Sequence, residues 1–323
     1  MSKRCLVTGA GGFIGSHLVE RLANSGWQVR AFLRYNSRNH AGWLENLNCD
    51  AELFRGDIRD ASSVNEAVQG CDTVFHLAAL IGIPYSYRNP ESYLQTNVQG
   101  TLNLLQAALK NDCQRVIVTS TSEVYGSAQQ VPQQEDHPLS AQSPYAASKI
   151  GADQLALAWH RSFELPVTIL RPFNTYGPRQ SARAVIPAIM TQILSGSDKI
   201  KLGATKPRRD LNYVQNTVDA FMSVLDKSAT IGQTIHFGSG STVSIGELAE
   251  LIQKVTGSDL PIVVDEERIR PQASEVNHLE CDYSNATRLC GWKPQIDLKE
   301  GLAATWEWLQ QQRDLSGAGE YVV

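Results

Sequence analysis

A tyrosine and a lysine four residues apart, Tyr145 and Lys149, are the first residues whose types and spacing could carry chemistry. At this spacing the two side chains share one face of an α-helix. Ser143 can cap such a helix, and Pro144 suits its first turn. A lysine ammonium beside a phenol favours the phenolate, because a nearby positive charge stabilises the charged form. We therefore predict a base that takes a proton from a sugar or alcohol hydroxyl near neutral pH.

A second polar group precedes this pair in the sequence and follows a short apolar run. Residues 115–119 are mostly β-branched, which predicts a buried strand. The strand would deliver Thr121, Ser122 and Glu123 at its carboxyl end, where open α/β sheets place their ligand sites. A carboxylate beside a hydroxyl and a tyrosine–lysine pair indicates redox chemistry with a second proton transfer. The alternative is a solvated loop glutamate next to an ordinary helix.

A glycine-rich turn near the start of the chain favours dinucleotide binding. Residues 4–8 predict a strand, and a helical pattern runs on to about residue 25. Glycines between the two would let the backbone approach a pyrophosphate, and the helix N-terminus would favour the anion. The spacing alone is a weak signal, but its place between a strand and a helix makes it specific. The residues expected to contact the dinucleotide here are Gly9, Gly12, Phe13, Ile14 and Gly15.

The end of the second predicted strand, residues 28–33, bears on which nicotinamide dinucleotide is bound. NAD-binding proteins usually place an acid there, which binds the ribose hydroxyls. This chain has Leu33 and Arg34 at that point, with Ser37 and Arg38 nearby. Guanidinium groups suit a ribose phosphate, so the sequence favours NADP over NAD. The alternative is that both arginines are only solvated.

The third and fourth predicted strands, 51–55 and 73–77, extend the expected cofactor site. Asp57 follows the third strand and can accept a hydrogen bond from an adenine amino group, or cap the helix that begins near Asp60. We interpret His76 as a packed residue rather than a ligand. The remaining candidates for cofactor contact are Ile58, Leu77, Ala78, Ala79, Asn97, Thr119 and Pro172, together with Tyr145 and Lys149.

Composition limits the class of protein. The 323 residues suffice for one large domain or two smaller ones, and the net charge of -4 argues against nucleic acid as a partner. Six scattered cysteines without a CxxC pair are typical of a reduced cytoplasmic protein with mostly buried thiols. We expect no metal site, because no cluster has metal-ligand spacing. We also expect neither a signal peptide nor a membrane span.

The regular pattern of predicted strands and helices changes after a further predicted strand at 166–170. Within residues 180–210, a basic run suggests an anion such as a diphosphate, and a solvated face is the alternative. Strand 234–237, a capped helix over 244–256 and a last helix over about 298–311 follow. We predict an α/β fold: a Rossmann doubly wound parallel sheet in residues 1–173, with return segments near 211–240, and a smaller C-terminal α/β lobe in residues 174–323.

Nine segments spread over nearly the whole chain resemble the extended short-chain dehydrogenase/reductases that act on nucleotide sugars, the NAD-dependent epimerase/dehydratase family. They are residues 8–15, 56–60, 76–79, 96–101, 120–126, 145–149, 171–179, 208–210 and 289–294. Within that family the chain looks most like the 4,6-dehydratases, first those of legionaminic-acid synthesis and then the GDP-mannose dehydratases. This narrower resemblance rests on residues 35–37, 84–90, 143–153 and 177–187.

The resemblance implies roles for individual residues. It makes Thr121, Tyr145 and Lys149 the dehydrogenase triad, and it makes Glu123 the base of the dehydration. Ser122 stands where the dTDP-glucose dehydratases have an aspartate that protonates the leaving hydroxyl, so the proton donor stays open. The GDP-mannose branch also has serine there. The residues implied around a nucleotide sugar are Asn174, Arg209 and Arg270, with Ser86, Arg179, Arg183 and Val185 as weaker candidates.

The implied reaction converts a GDP- or UDP-linked hexose, with mannose or N-acetylglucosamine as the sugar, to its 4-keto-6-deoxy form. Tyr145 would take the proton from the hydroxyl on carbon four while a hydride passes to the nicotinamide. Glu123 would then remove the carbon-five proton, water would leave from carbon six, and the hydride would return there. The cofactor would therefore stay bound through the cycle. Helices near 92–110 and 144–164 resemble the family's dimer interface, so we expect a homodimer; the alternative is that their apolar faces pack only on the sheet.

Three rival functions stay open from the sequence. A UDP-glucuronate decarboxylase shares the threonine-serine-glutamate run but usually has an arginine where this chain has Ile150, although Arg88 or Arg183 could bind the substrate carboxylate. A 4-epimerase needs no carboxylate at position 123. A catalytically silent NADP-binding scaffold is the alternative from another class. The intact triad with Glu123 argues against it.

Overall fold

Strands and helices alternate along most of the chain, and the computed structural model describes residues 3–47, 49–269 and 271–312. The strands are β1 (Arg4–Thr8), β2 (Gln28–Arg34), β3 (Ala51–Gly56), β4 (Thr73–His76), β5 (Arg115–Thr119), β6 (Val167–Pro172), β7 (Asn174–Tyr176), β8 (Ile200–Leu202), β9 (Arg208–Tyr213), β10 (Thr234–Phe237), β11 (Thr242–Ser244), β12 (Ile262–Val264) and β13 (His278–Leu279). The helices are α1 (Phe13–Asn24), α2 (Ala61–Val68), α3 (Ile83–Arg88), α4 (Pro90–Tyr93), α5 (Gly100–Lys110), α6 (Pro144–Phe163), α7 (Val185–Leu194), α8 (Val214–Ser223), α9 (Ile245–Thr256), α10 (Ser284–Cys290) and α11 (Leu298–Gln310).

A seven-stranded sheet in the order β10-β6-β5-β4-β1-β2-β3 forms the centre of the fold. All of its pairings are parallel. The central strands are apolar because a parallel sheet is covered by helices on both faces. The strand order reverses between β1 and β4, and open α/β sheets bind ligands at the carboxyl ends of the strands beside such a switch point. The predicted doubly wound parallel sheet is confirmed.

The predicted strand bounds agree with this sheet. β1, β5 and β10 begin and end where the sequence pattern predicted, and the other four strands differ by one or two residues at their ends. The helix predicted over 92–110 is instead interrupted, because a π-helical stretch, Leu94–Gln99, separates α4 from α5. Such wider turns are frequent at functional sites, and a residue pattern does not signal them.

A smaller set of strands and helices follows β6. In it, β9 pairs with β7, β11 and β13, while β8 pairs with β12. Side chains from α7, α9 and α11 bury one apolar cluster against these strands; among them are Ile189, Met190, Leu248, Ile252 and Leu302. β10 leaves this region and returns to the large sheet beside β6. The exact domain boundary after residue 173 stays a prediction.

Two further properties concern the described residues only. None of their helices combines the length and the apolar character that crossing a bilayer requires. All six cysteines are free thiols, and Cys5, Cys71, Cys113 and Cys281 are buried. The prediction of mostly buried, unpaired thiols is confirmed.

Candidate active site

Helix α6 presents the predicted tyrosine–lysine pair at the carboxyl edge of the sheet. The helix starts at Pro144 because the Ser143 side chain accepts a hydrogen bond from the Ala146 amide at 3.1 Å. Tyr145 and Lys149 both lie on its buried face. The Lys149 ammonium donates to the carbonyl oxygen of Thr119, the last residue of β5, at 2.6 Å. This hydrogen bond ties α6 to the strand that precedes the threonine-serine-glutamate run.

A short 3₁₀ helix, Ser122–Tyr125, positions that run next to the tyrosine. Thr121 caps it by accepting a hydrogen bond from the Glu123 amide at 3.2 Å. The Thr121 hydroxyl also bonds to the Tyr145 phenol, and the negative charge of Glu123 acts on the same phenol. Ser122 is buried. The structure thus brings the five predicted catalytic side chains together at the ends of two elements.

The phenol of Tyr145 differs from its predicted state. Burial raises the pKa of Tyr145 well above its ordinary value, and the charge of Glu123 acts in the same direction. Lys149 donates a hydrogen bond to the Thr119 carbonyl, and burial lowers the pKa of its ammonium. The residues of the chain alone therefore do not favour a phenolate at Tyr145 near neutral pH. The site needs a further positive charge for that purpose.

The glycine-rich turn has the tight geometry that a pyrophosphate site requires. Gly12 is the N-cap of α1 and offers no side-chain cap, so the first-turn amides of Phe13 and Ile14 stay available to a ligand. Gly9 has a φ of +69°, and a Cβ there would lie 2.9 Å from the Ala78 amide nitrogen. The Thr119 hydroxyl oxygen is buried and has no hydrogen-bond partner among the described residues. These features fit a bound dinucleotide.

A buried polar network fixes the two strand ends beside the switch point. His76 bonds through Nδ1 to Thr8 Oγ1 at 2.9 Å and through Nε2 to Thr101 Oγ1 at 3.0 Å. Thr8 Oγ1 accepts from the amides of Leu77 and Ala78, both at 3.1 Å. Burial lowers the pKa of His76 to about 3, so the ring is neutral. His76 is a packed residue, as interpreted from the sequence.

Asn97 lies in the π-helical stretch and contacts backbone, as its place inside a helix suggested. Its amide accepts from the Leu80 amide at 2.8 Å and donates to the Leu80 carbonyl at 2.9 Å. It also donates to Ser148 Oγ at 2.9 Å, and the residue is 1% exposed. These hydrogen bonds are with the protein itself, and a cofactor contact by Asn97 stays a prediction.

The other predicted cofactor residues lie at the carboxyl edge of the sheet or in the loop after β2. Asp57 binds the Arg59 guanidinium at 2.6 and 2.9 Å, whereas Asp60 caps α2 through the Ser62 amide. Of the two roles weighed for Asp57, capping thus belongs to Asp60. Arg34 ends β2 and is exposed, as are Ser37 and Arg38. Ile58 is buried, and Ala79 and Pro172 are partly exposed.

Two predicted substrate residues lie on neighbouring strands. Asn174 of β7 donates to the carbonyl of Asp210 at 3.2 Å. Arg209 of β9 is largely buried and forms an ion pair with Glu275 at 2.8 Å. The two residues thus lie on paired strands, and a shared diphosphate site stays a prediction.

Two other predicted substrate residues have partners elsewhere in the chain. Arg179, which has a φ of +69°, forms an ion pair with Glu20 of α1 at 2.8 Å. Ser86 is fully buried and donates to the Ile83 carbonyl at 2.7 Å. Arg183 is exposed, and Val185 begins α7. Arg270 lies outside the described residues.

Sequence reasoning missed a link between the two halves of the site. Ser274 donates to the Gln142 carbonyl at 2.7 Å and bonds to the hydroxyl of Tyr87. The Gln142 side chain donates to the Ala273 carbonyl at 3.1 Å. Glu275, the partner of Arg209, follows directly in the chain. These contacts join segments far apart in sequence, and no local pattern signals them.

Sequence reasoning also missed Asp153 and Arg171, which form a buried ion pair at 2.9 Å. One signal was available. Asp153 comes four residues after Lys149, so it lies on the same buried face of α6. A carboxylate on a buried helix face requires a charged partner.

Asp210, next to Arg209 on β9, is a buried carboxylate held by backbone and hydroxyl groups. It accepts from the Ser239 amide at 2.6 Å, the Ser239 hydroxyl at 2.8 Å, the Gly240 amide at 2.9 Å and the Cys281 amide at 3.1 Å. Burial outweighs these hydrogen bonds and raises the pKa of Asp210 to about 6. The folded protein thus resists ionisation of this group more than the unfolded chain does.

We expect Asp210→Asn to change how stability depends on pH. The ordinary pKa of 3.8 is raised on folding, so wild type loses stability as pH rises from about 4 to about 6. That loss amounts to about 3 kcal/mol, and the variant lacks it. Denaturant unfolding across this range should show the stability of wild type falling relative to that of Asp210→Asn. A constant or growing advantage of wild type would contradict the assignment.

Comparison with known proteins fits this geometry. The fold and the site define an extended short-chain dehydrogenase/reductase. The family model described as GDP-mannose 4,6 dehydratase matches residues 6–305, so the chain belongs to that family, within the NAD-dependent epimerase/dehydratases. The family-level resemblance seen in the sequence is confirmed.

Individual relatives catalyse three different reactions at similar distance. A UDP-N-acetyl-alpha-D-glucosaminuronate decarboxylase of Bacillus cytotoxicus is 35% identical over 324 residues, which cover 96% of this chain and 99% of the relative. The structure of DesIV, a dTDP-glucose 4,6-dehydratase from Streptomyces venezuelae with NAD and TYD bound, has a TM-score of 0.86 at 33% identity. It matches over 96% of this chain and 98% of its own. The UDP-glucose 4-epimerase of Thermotoga maritima with UDP-glucose has a TM-score of 0.88 at 30% identity, over 95% and 99%. The protein is an enzyme of this family, and the relatives leave its reaction open.

Proposed function

We propose that the protein is a nucleotide-sugar 4,6-dehydratase that converts an NDP-hexose to its 4-keto-6-deoxy form. One observation carries the proposal. The Glu123 carboxylate lies just after β5, close enough to the Tyr145 phenol for its charge to raise the pKa of that phenol. Oxidation at carbon four needs only the tyrosine, the threonine and the lysine beside the hydride acceptor. Loss of water needs a further base for the carbon-five proton, and Glu123 is the group at hand.

The side chains divide the proton transfers between them. Tyr145 takes the proton of the carbon-four hydroxyl, while Thr121 holds that oxygen by a hydrogen bond. Glu123 removes the carbon-five proton, which the new ketone makes acidic. The protonated Glu123 is then a donor for the hydroxyl that leaves carbon six, since Ser122 is buried and is a weak acid. Glu123 thus moves a proton from carbon five to the leaving hydroxyl, and carbon five regains a proton, equal to the one that Tyr145 took from the carbon-four hydroxyl, when the product forms.

The residues at the glycine-rich turn would hold a nicotinamide dinucleotide. When bound, this group supplies the hydride acceptor and, in its oxidised form, a positive charge. That charge would lower the pKa of Tyr145, which burial has raised. The dehydratase DesIV holds NAD, and the preference for NADP, inferred from Arg34 and Arg38, has no support from it. We therefore propose NAD or NADP, to be distinguished by extracting the nucleotide from purified protein.

The substrate diphosphate would lie between the two lobes. Asn174 and Arg209 are the described side chains proposed to hold it, with Arg270 added from the family pattern. We propose that residues 1–173, with β10, bind the dinucleotide and that most of residues 174–323 bind the nucleotide sugar. Guanidinium groups suit a diphosphate, because they form paired hydrogen bonds to its oxygens.

A decarboxylase is the second candidate, because a UDP-sugar decarboxylase is 35% identical over almost the whole chain. Arg183 is exposed near the site, where its charge acts on Tyr93, and it could bind a uronate carboxylate. Ile150 directly after Lys149 argues against this candidate, since the decarboxylases of this family usually have an arginine at that position.

Mass spectrometry of the products tests the proposal. The protein is incubated with GDP-mannose, GDP-N-acetylglucosamine, UDP-N-acetylglucosamine, dTDP-glucose and UDP-glucuronate in separate reactions. We expect loss of water from one of the first four. Loss of carbon dioxide from UDP-glucuronate would make the protein a decarboxylase. No change with any of them, despite bound dinucleotide, would favour the silent scaffold or a sugar outside the panel.

We also propose a homodimer that forms through the helices after β4 and before β6. Two large apolar side chains on these segments are exposed, Leu94 at 54% and Phe163 at 51%. Burial of such side chains against a second copy would stabilise a dimer. Light scattering of the purified protein should give twice the chain mass, and a monomer at micromolar concentration would contradict the proposal.

A further inference from the structure

A buried ion pair lies beside the proposed catalytic side chains and takes no part in the reaction as described above. Asp153 of α6 is fully buried, and Arg171 of β6 is 3% exposed. Asp153 Oδ2 accepts from Arg171 Nη2 at 2.9 Å, from Arg171 Nε at 3.2 Å and from Ser120 Oγ at 2.6 Å. One carboxylate oxygen therefore joins a helix, a strand and the turn that follows β5.

The network continues away from the site without adding charge. Arg171 Nη1 donates to the Tyr125 hydroxyl at 2.5 Å, and that hydroxyl also bonds to His236 Nε2 at 2.5 Å. Burial lowers the pKa of His236 to about 3 and raises the pKa of Tyr125 to about 12, so both stay neutral. Asp153 Oδ1 is buried and has no hydrogen-bond partner among the described residues. Asp153 and Arg171 are thus the two charged side chains that this network links directly, and the Glu135 carboxylate accepts from the His236 amide at 3.0 Å.

Stability alone is a poor reason to keep this pair. Removing two charges from water is costly, and well-packed apolar side chains of similar volume are often as stabilising as a buried ion pair. An oxygen without a hydrogen bond adds to that cost. The position of the pair supplies another reason. Ser120 directly precedes Thr121, and Asp153 follows Lys149 by one helical turn.

We propose that Asp153 is a positioning residue of the catalytic centre. Its carboxylate holds Ser120, and so the turn that carries Thr121 and Glu123, against α6. Its negative charge keeps the neighbouring Lys149 side chain protonated in a site that disfavours charge. This inference rests on the proposed function, because Asp153 would act only by positioning side chains whose catalytic roles are themselves proposed.

The charged and titratable groups around Lys149 come from several elements. Tyr145 and Asp153 lie on its own helix, and His76 lies near it on β4. The Thr119 carbonyl oxygen, on β5, accepts a hydrogen bond from the ammonium. His76 is neutral. Burial lowers the pKa of Lys149, and the charge of Asp153 opposes that shift.

The groups around Asp153 balance its charge in part. Arg171 reaches it from β6, and the Tyr125 hydroxyl lies on the far side of that guanidinium. Glu123 and Asp153 both raise the pKa of Tyr145. Loss of the Asp153 charge should therefore lower the pKa of Lys149 and of Tyr145 together.

The test compares wild type with Asp153→Asn and with Tyr125→Phe as the matched control. The control breaks the network beyond Arg171 but keeps the charge of Asp153. The first readout is the pH titration of the Lys149 ammonium by nitrogen-15 NMR of lysine-labelled protein, assigned through its loss in Lys149→Met. This readout requires no substrate and no turnover. We expect the Lys149 titration in Asp153→Asn to move down by about one pH unit, with no shift in Tyr125→Phe.

The second readout is the pH profile of nicotinamide reduction in a single turnover, with the sugar that wild type accepts. We expect both limbs of the profile to move to lower pH in Asp153→Asn, with a loss of about tenfold in rate at the alkaline end. Tyr125→Phe should lower the unfolding temperature without moving the profile. If wild type turns over no nucleotide sugar, the proposed function fails, while the NMR titration still decides the role of Asp153.

One variant guards against failure to fold. Asp153→Asn leaves the Arg171 guanidinium buried without its partner, so we also examine Asp153→Asn combined with Arg171→Met, which removes both charges. The Lys149 titration should move in the same direction in this double variant. Coincident titrations in wild type and in the variants, with only stability changed, would show that Asp153 is structural and overturn the proposal.

Discussion

Glu123→Gln is expected to stop the elimination of water while the first oxidation still proceeds. Glutamine keeps the length and the hydrogen-bonding capacity of the side chain but cannot take a proton from carbon five. The formation of 4-keto-6-deoxy product should fall by about a thousandfold. The bound dinucleotide should persist, because the glycine-rich turn that holds it follows β1 and not β5.

The same substitution should not impair Tyr145. The negative charge of Glu123 raises the pKa of the Tyr145 phenol, so its removal makes the phenol easier to ionise. Reduced nicotinamide should therefore accumulate after mixing with the nucleotide sugar, and its near-ultraviolet absorbance measures it. Product is quantified in parallel by mass spectrometry.

Glu250→Gln is the matched control, because Glu250 is exposed on α9 and away from β5. It makes the same chemical change and should leave both signals at the level of wild type. Elimination at the normal rate in Glu123→Gln would show that another group is the base. Absence of both signals would place Glu123 in the first oxidation as well.

Gly15→Ala is expected to remove most of the bound dinucleotide. A Cβ at this position would lie 2.2 Å from the carbonyl oxygen of Gly9, 2.9 Å from its carbonyl carbon and 3.1 Å from Ala10 Cα. All three contacts are with backbone, so no side-chain rotation relieves them. Either α1 or the turn before it must move, and both contribute to the proposed pyrophosphate site.

The expected effect is about a hundredfold weaker dinucleotide affinity, which corresponds to about 3 kcal/mol. Calorimetric titration of dinucleotide-free protein measures it directly. Gly246→Ala is the control, because Gly246 also lies in the first turn of a helix and its nearest neighbour beyond that Cβ is 3.6 Å away. Alanine there should leave the affinity unchanged and stabilise α9 by up to about 1 kcal/mol. Equal affinities in the two variants would show that the turn does not need its glycine.

The sequence predicted those parts of the site that depend on neighbouring residues. Hydrophobic runs gave the strands, and the glycine spacing marked the turn before α1. The spacing of Tyr145 and Lys149 gave their shared helix face. Each of these patterns acts through local backbone geometry, which a short stretch of sequence specifies.

What the sequence did not predict depends on pairing between distant segments. Arg179 was a weaker candidate for substrate contact, and the structure pairs it with Glu20 of α1, a residue far away in the sequence. The phenolate expected at Tyr145 is not favoured by the chain alone, because burial raises the pKa of this phenol. Burial depends on the whole fold, so a four-residue spacing cannot report it.

The position of β10 has a consequence for how the molecule is made. β10 pairs with β6, and its His236 bonds to Tyr125, the last residue of the 3₁₀ helix that carries Glu123. A nascent chain that has left the ribosome only as far as the end of β6 therefore lacks a support for its own catalytic turn. The polypeptide must emerge beyond Phe237 before this turn can settle. Folding of the dinucleotide-binding half during synthesis thus ends late, and a gene truncated at residue 173 should not yield an independent, working half-enzyme.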